Sequence, residues 1–330
     1  MKTIFITGAG AGLGKATAKL FQSKGWQVIA TMRNPEKETE LTQLKNVVVL
    51  KLDVTDALQI DNTVQQVIEQ YGVDVVLNNA GYGLIGPLEA FSDAQITRQI
   101  DTNLLGVIRV MKAFTPYLRN KGEGVFITIS SMYGLVGFPT CAMYSATKFA
   151  LEGFCECMAY DLATFGIQVK TIAPGGIKTD FAGRSLDGAM HDAYGPLMAK
   201  VSEGYNEEAI SKYSTPQQIA EVVYEAATDN NNQLRYIAGA GAITLYNERL
   251  ELGPEAQYQK TRQWAVGQSL NFQCMKKESP YIFNSIVELH RALGLPGPLH
   301  PLISLVDYKD IVVDTRNQGN NELLANLKRC

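Results

Sequence analysis

Tyr144-Ser145-Ala146-Thr147-Lys148 sets a tyrosine and a lysine four residues apart, which on a helix puts both on one face, about one turn from each other. A tyrosine hydroxyl beside an ammonium suits a reaction in which negative charge grows on an oxygen that then takes a proton, as when hydride adds to a carbonyl carbon. Run in reverse, the same hydroxyl must act as a base. Its unperturbed pKa of ~10 then has to be shifted downward, and a nearby Lys148 ammonium is expected to supply that shift. Such a pair is common by chance. What lifts it is Ser131, with twelve residues between it and Tyr144, just past a β-branched run, Val125 to Ile129. Ser130 competes for the role, but adjacent side chains leave a strand on opposite faces, so one of the two points into a cleft, and Ser131 is chosen.

These residues need a scaffold, and the opening of the chain describes one. Thr3 to Thr7 reads as a strand, Gly8 to Gly14 as a glycine turn and the following residues to about Lys24 as a helix that Gly25 stops. A glycine turn between strand and helix lets backbone N–H groups and the helix N-terminus approach a pyrophosphate. Short apolar runs recur at Val28 to Thr31, Val47 to Lys51, Val73 to Leu77, Val125 to Ile129 and Gln168 to Ile172, with helix-patterned segments between them. That alternation predicts an α/β fold, a Rossmann-type doubly wound parallel sheet flanked by helices. The pattern loosens over residues 181–215, which read as a mobile segment covering the substrate. A helix from Pro216 to Thr228, a strand near Arg235-Tyr236-Ile237 and a helix from Ile243 to about Val266 complete a domain of residues 1–266. Residues 267–330 form a C-terminal extension.

Composition narrows the function. A net charge of −3 with 46% hydrophobic residues is ordinary for a globular chain and implies no nucleic-acid or membrane partner. The start is too short an apolar run for a signal peptide, which points to the cytoplasm. The five cysteines lack metal-ligand spacing, and Cys155 and Cys157 point apart on a helix, so neither a disulfide framework nor a metal site is expected. Histidine is absent before His191, which excludes a Ser-His-Asp hydrolase built within that region.

Thr7-Gly8-x-x-x-Gly12-x-Gly14, Asn78-Asn79-Ala80-Gly81, Ser131, Tyr144-x-x-x-Lys148 and Pro174-Gly175-Gly176-Ile177-Lys178-Thr179 occur in one order that resembles the short-chain dehydrogenases/reductases over about residues 1–266. The resemblance implies a catalytic tetrad of Asn103, Ser131, Tyr144 and Lys148. Ser131 would hold the substrate oxygen, Lys148 the nicotinamide ribose, and Asn103 a water that leads protons from Lys148 to solvent. It also implies a cofactor site of Gly8, Gly12, Leu13 and Gly14 at the pyrophosphate, with Asp53 at the adenine amino group and Asn79, Ala80 and Gly81 beside the ribose. Pro174, Gly175, Ile177 and Thr179 would lie at the nicotinamide carboxamide, with Tyr144 and Lys148 completing the set. Met32 stands where NAD-preferring members carry an acid and Arg33 follows it, which favours NADP while leaving NAD open. The residue before the second motif glycine is Ala11, not the basic residue of many NADP-preferring members. The expected activity is interconversion of an alcohol and a carbonyl, by a carbonyl reductase or hydroxysteroid-dehydrogenase-like enzyme acting as a dimer or tetramer. A non-catalytic NAD(P)-binding regulator and a methyltransferase on a similar sheet are the alternatives. Phe138, Cys141, Met143, Phe181 and Tyr194 are candidates for an apolar pocket lining, with core or surface roles equally open.

The extension carries a second resemblance. Residues 283–296 and 300–307, after Met275-Lys276-Lys277, are similar to the opening of AraC-type transcriptional regulators, but the chain stops at Cys330, before any helix-turn-helix, so no DNA reading is supported. Either a dehydrogenase is joined to part of a neighbouring coding region, or the extension caps the pocket or forms a dimer contact through a strand at Leu302 to Val306.

Overall fold

The computed structural model describes residues 1–178, 186–267, 282–283 and 311–312. Seven parallel strands form one sheet in the order β3-β2-β1-β4-β6-β7-β9: β1 Thr3–Ile6, β2 Gln27–Met32, β3 Val47–Lys51, β4 Val75–Asn78, β6 Gly124–Ile129, β7 Ile167–Pro174 and β9 Arg235–Ala238. β5 (Gly83–Ile85) pairs in parallel with β8 (Leu186–Gly188) in a small second sheet.

Both faces of the large sheet are covered, which explains why its strands are mostly apolar rather than alternating. Helix α1 (Gly12–Ser23) and helix α8 (Pro216–Thr228) seal one face, where Leu13, Phe21, Ile219 and Val223 meet Ile4, Ile6 and Val28. Helices α2 (Ala57–Tyr71), α4 (Gly106–Lys121) and α5 (Ala142–Ala163) seal the other with Val64, Phe114 and Leu151 against Phe5, Ile29, Val76 and Phe126. Phe5 and Phe114 meet edge to face at 4.9 Å. Local chemistry sets the helix ends: Asp56 caps α2 by accepting from the Gln59 N–H at 3.0 Å, and Thr215 with Gln218 forms a capping box on α8.

Three sequence expectations shift. The strand expected from Val73 to Leu77 is Val75–Asn78, because Val73 and Asp74 serve as its lead-in, with the Asp74 N–H donating to the Thr3 carbonyl. The last helix, α9, starts earlier, at Ala240, and breaks at Gly253, where φ is +75° ahead of Pro254. The loosely patterned segment contains, besides β8, the helices α6 (Gly195–Ser202) and α7 (Glu207–Ser211), too short to show a clear period. Among the described residues no helix is long and apolar enough to cross a membrane, and no cluster of His, Cys, Asp or Glu could hold a metal ion.

The chain divides into two compact units, Met1–Gly267 and Gln268–Cys330. In the second, Ile282–Phe283 pairs antiparallel with Ile311–Val312. The strand expected at Leu302 to Val306 lies outside the described residues.

Candidate active site

β1, β4, β6 and β7 deliver their following loops to one edge of the sheet, and chain order reverses between β1 and β4, where doubly wound sheets open a crevice. The glycine turn sits there. Gly8 has φ +68°, and a Cβ on it would lie 2.8 Å from the Ala80 Cα; a Cβ on Gly14 would lie 2.4 Å from the Gly8 carbonyl oxygen and 2.5 Å from Asn79 Nδ2. Ala11, at the N-cap of α1, offers no side-chain cap, and the first turn holds no acid. Unoccupied helix N–H groups and a glycine cradle are what an anionic pyrophosphate needs, so these residues fit a dinucleotide.

Asn79 braces that turn. Its Nδ2 donates to the carbonyls of Thr7 at 2.9 Å and Gly8 at 3.0 Å, while the Thr7 hydroxyl accepts from the N–H groups of Asn79 and Ala80 at 3.0 and 3.1 Å. Thr7, part of the first motif but given no role above, is therefore the tie between the glycine turn and the loop of residues 79–81. Asp53 uses one carboxylate oxygen to accept from the Thr55 N–H at 2.9 Å and its hydroxyl at 2.8 Å. Met32 is buried and packs over Gly10, whereas Arg33 is exposed. The Gly175 N–H donates to the Ala238 carbonyl at 3.0 Å, and Ile177 bridges to Ser214. Thr179 and Phe181 lie outside the described residues.

Tyr144 and Lys148 share one face of α5, with the ammonium 5.7 Å from the centroid of the Tyr144 ring. Ser131, 6% exposed, accepts from the Tyr133 N–H at 3.1 Å and lies close enough to the Tyr144 hydroxyl to lower its pKa. Ser130 instead turns inward against Gly134. Lys148 Nζ donates to the Ile129 carbonyl at 2.7 Å. Burial pushes Tyr144 up to about 12 against the opposing Ser131 hydrogen bond, and drives Lys148 down to about 8. The downward shift expected of Tyr144 is thus reversed in the protein alone: desolvation outweighs the lowering by Ser131, which leaves a neutral phenol suited to act as an acid.

Asn103 belongs to a π-helical turn, Asp101–Leu105, that joins α3 (Asp93–Ile100) to α4, rather than to a regular helix. Such turns cluster at functional sites. The Asn103 amide is buried; it accepts from the Tyr82 N–H at 3.0 Å and donates to the Tyr82 carbonyl at 2.8 Å. A Cβ on Gly81 would sit 3.2 Å from Asn103 Oδ1 and 3.9 Å from Lys148 Nζ, so the loop of residues 79–81, Asn103 and Lys148 meet at one point.

Beside Tyr144 stands an aromatic wall that sequence reasoning found only in part. Tyr133 stacks on Phe138 at 5.1 Å, and Phe138 meets Trp264 of α9 at 5.5 Å. Tyr205 faces Tyr133 and Tyr144 from the segment after α6. Cys141 is wholly buried, Met143 is half-buried, and Tyr194 packs edge-on to His191 at 6.0 Å. No local pattern marks Trp264, which reaches the wall through the break in α9.

The short chain dehydrogenase family matches residues 2–188. The chain belongs to that family. It is accordingly an NAD(P)-dependent oxidoreductase of CH–OH groups. The short-chain dehydrogenase is 38% identical over 212 residues to an uncharacterised oxidoreductase of Schizosaccharomyces pombe, spanning 63% of this chain and 88% of that protein. It is 32% identical over 265 residues to 17-beta-hydroxysteroid dehydrogenase type 1 of Mus musculus, 75% of this chain and 76% of that one. Among solved structures, ElxO with NADP bound matches with a TM-score of 0.63 and 29% identity over 74% of this chain and 99% of ElxO.

Proposed function

We propose that this short-chain dehydrogenase uses NADP(H) to interconvert an alcohol and a carbonyl, with Tyr144 as the acid/base. The observation that carries the reading is the grouping of Ser131, Tyr144, Lys148 and Asn103 at the mouth of the glycine turn. The bound nicotinamide supplies or accepts the hydride. Ser131 orients the substrate oxygen toward the Tyr144 hydroxyl, which donates a hydrogen bond and then its proton as charge develops. Lys148 holds the ribose and favours the phenolate when the reaction runs toward the carbonyl. Asn103, locked by Tyr82, supports the exit of the proton past Lys148. Gly8, Gly12, Leu13 and Gly14 hold the pyrophosphate, and Pro174, Gly175, Ile177 and Thr179 the carboxamide.

NADP preference rests on the missing acid at the end of β2 and on exposed Arg33, and the NADP carried by ElxO fits it. The Tyr133–Phe138–Trp264 wall supports a bulky apolar alcohol or ketone, in line with the steroid named for the mouse relative. Exposed Leu105, Phe149 and Phe165 around α4 and α5 support a homo-oligomer, which we assign to the cytoplasm.

The test is Tyr144→Phe, assayed by nicotinamide absorbance against steroids, aromatic ketones and sugar carbonyls. Turnover is expected to fall ~10²–10⁴-fold with cofactor affinity nearly unchanged. Retention of more than about a tenth of wild-type turnover would overturn the assignment, since a positioned acid contributes far more than that.

A further inference from the structure

A row of polar side chains crosses the sheet beneath α5. Asn78, Thr128, Thr171 and Arg235 are register partners on β4, β6, β7 and β9, so their side chains share one face. The preceding residues on that face, Val76, Phe126 and Val169, belong to the apolar core. Asn78, Thr128 and Thr171 are at most 2% exposed. Polar groups at such positions cost stability unless they are hydrogen-bonded, so the row calls for a role.

Glu152 reaches this row from α5, one helical turn past Lys148 and on the same face. It is itself 5% exposed. Its Oε2 accepts from the Thr171 hydroxyl at 3.1 Å and from Arg235 Nε at 2.7 Å, while Arg235 continues outward to Glu156 at 3.6 Å. The other oxygen, Oε1, is buried and has no hydrogen-bond partner among the described residues. The same is true of both amide atoms of Asn78, the Thr128 hydroxyl and the Ser130 hydroxyl; Ser130 Oγ and the Lys148 carbonyl both border Gly134. Unpaired polar atoms gathered in one buried seam are the setting in which proteins hold ordered water.

We propose that Glu152 is a positioning residue for Lys148: clamped by Thr171 and Arg235, it turns its free carboxylate oxygen to a hydrated polar seam under α5 and keeps the buried lysine in its ammonium form. The role of Lys148 in turnover rests on the proposed function; the coupling of the two side chains does not. Among the described residues, the charged or titratable groups facing Lys148 are Tyr144, Glu152 and Cys155 from its own helix, with Arg235 of β9 beyond Glu152; β6 offers the Ile129 carbonyl, and the π-turn offers neutral Asn103. Burial disfavours the ammonium and the Glu152 carboxylate opposes that loss, with Cys155 behind it.

The test is a pH titration of Lys148 by carbon NMR of protein labelled at lysine Cε, with the signal assigned by its absence in Lys148→Arg. Glu152→Gln keeps the shape and removes the charge, and should lower the Lys148 midpoint by about one pH unit; Glu152→Asp, which restores the charge, should recover most of it. An unmoved midpoint in a folded Glu152→Gln protein overturns the proposal. So does a midpoint that falls equally in the Asp variant, since that reports a structural disturbance. Wild-type protein supplies a check independent of any variant: a high-resolution crystal structure should show ordered water within hydrogen-bonding reach of Glu152 Oε1 and the Thr128 hydroxyl, and a dry seam there overturns the idea. The pH profile of turnover reads the other layer. A shifted NMR midpoint with an unshifted profile leaves the Glu152–Lys148 coupling standing and removes Lys148 from the catalytic reading.

Discussion

Arg33 and Met32 stand at the end of β2, where the proposed NADP preference would be decided by a single phosphate. Met32 is buried over Gly10 and brings no charge, while Arg33 extends into solvent where a guanidinium can pair with a 2′-phosphate. Glu38, five residues on, is occupied by the N–H groups of Glu40 and Leu41 at 2.8 and 2.9 Å and by Lys15 at 3.2 Å. Arg33→Ala is therefore expected to weaken NADP binding at least ~10-fold, the ~1.5–3 kcal/mol of a hydrogen bond to a charged group, with NAD affected little. Met32→Asp should turn preference toward NAD by repelling the phosphate. Dissociation constants for the two cofactors, measured by titration, decide it; equal changes in both would remove Arg33 and Met32 from the site.

The joint between α8, β7 and β9 depends on a buried ion pair. Lys170, 1% exposed, reaches the end of α8, where its Nζ donates to the Ala226 carbonyl at 2.8 Å and to Asp229 Oδ1 at 2.6 Å; the Tyr236 hydroxyl donates to Asp229 Oδ2 at 2.5 Å. Burial pushes the Asp229 carboxyl up, but Lys170, Tyr236 and the Asn231 N–H outweigh it and hold it below the ordinary carboxylate range. Asp229→Ala leaves a buried ammonium unpaired and is expected to cost about 3 kcal/mol, seen as a lower denaturation midpoint, whereas adding Lys170→Met should recover much of that loss. A depressed folded pKa means the stabilisation is present above the unfolded carboxylate pKa and is lost as pH falls through the folded value. The gap between wild type and Asp229→Asn should thus be full near neutrality and close below about pH 4. A gap that stays constant into acid would show that Asp229 contributes through packing and not charge.

For the whole molecule, the division after Gly267 is the feature with the largest practical consequence. Unit Met1–Gly267 holds the complete sheet, both helical layers and every described residue of the candidate site. Its last helix ends with Gly267 in a left-handed cap whose N–H donates to the Gln263 carbonyl at 2.9 Å, a regular stop for a helix. Truncation after Gly267 is expected to leave melting temperature and turnover almost unchanged. A drop of more than a few degrees, or a large loss of turnover, would show that residues 268–330 belong to the folded enzyme.

What the amino-acid sequence determined by itself was whatever repeats or sits close along the chain. Apolar runs with helical patterns between them dictated the parallel sheet, because strands buried on both faces must be apolar throughout. The glycine turn was legible because only residues without a Cβ fit where Gly8 nears Ala80 and Gly14 nears Asn79. Tyr144 and Lys148 were legible because helical spacing makes i and i+4 neighbours. Tertiary structure alone decided the rest. The brace of Tyr82 on Asn103 joins residues 21 positions apart, and Arg235 lies 83 positions from the Glu152 it clamps. Trp264, beyond the break of α9 at Gly253, meets Phe138, 126 positions away. Even the direction of the Tyr144 shift follows this division: the lysine one turn away is visible in the sequence, but the desolvation that sets the direction arises only once helix, sheet and loops close around the hydroxyl.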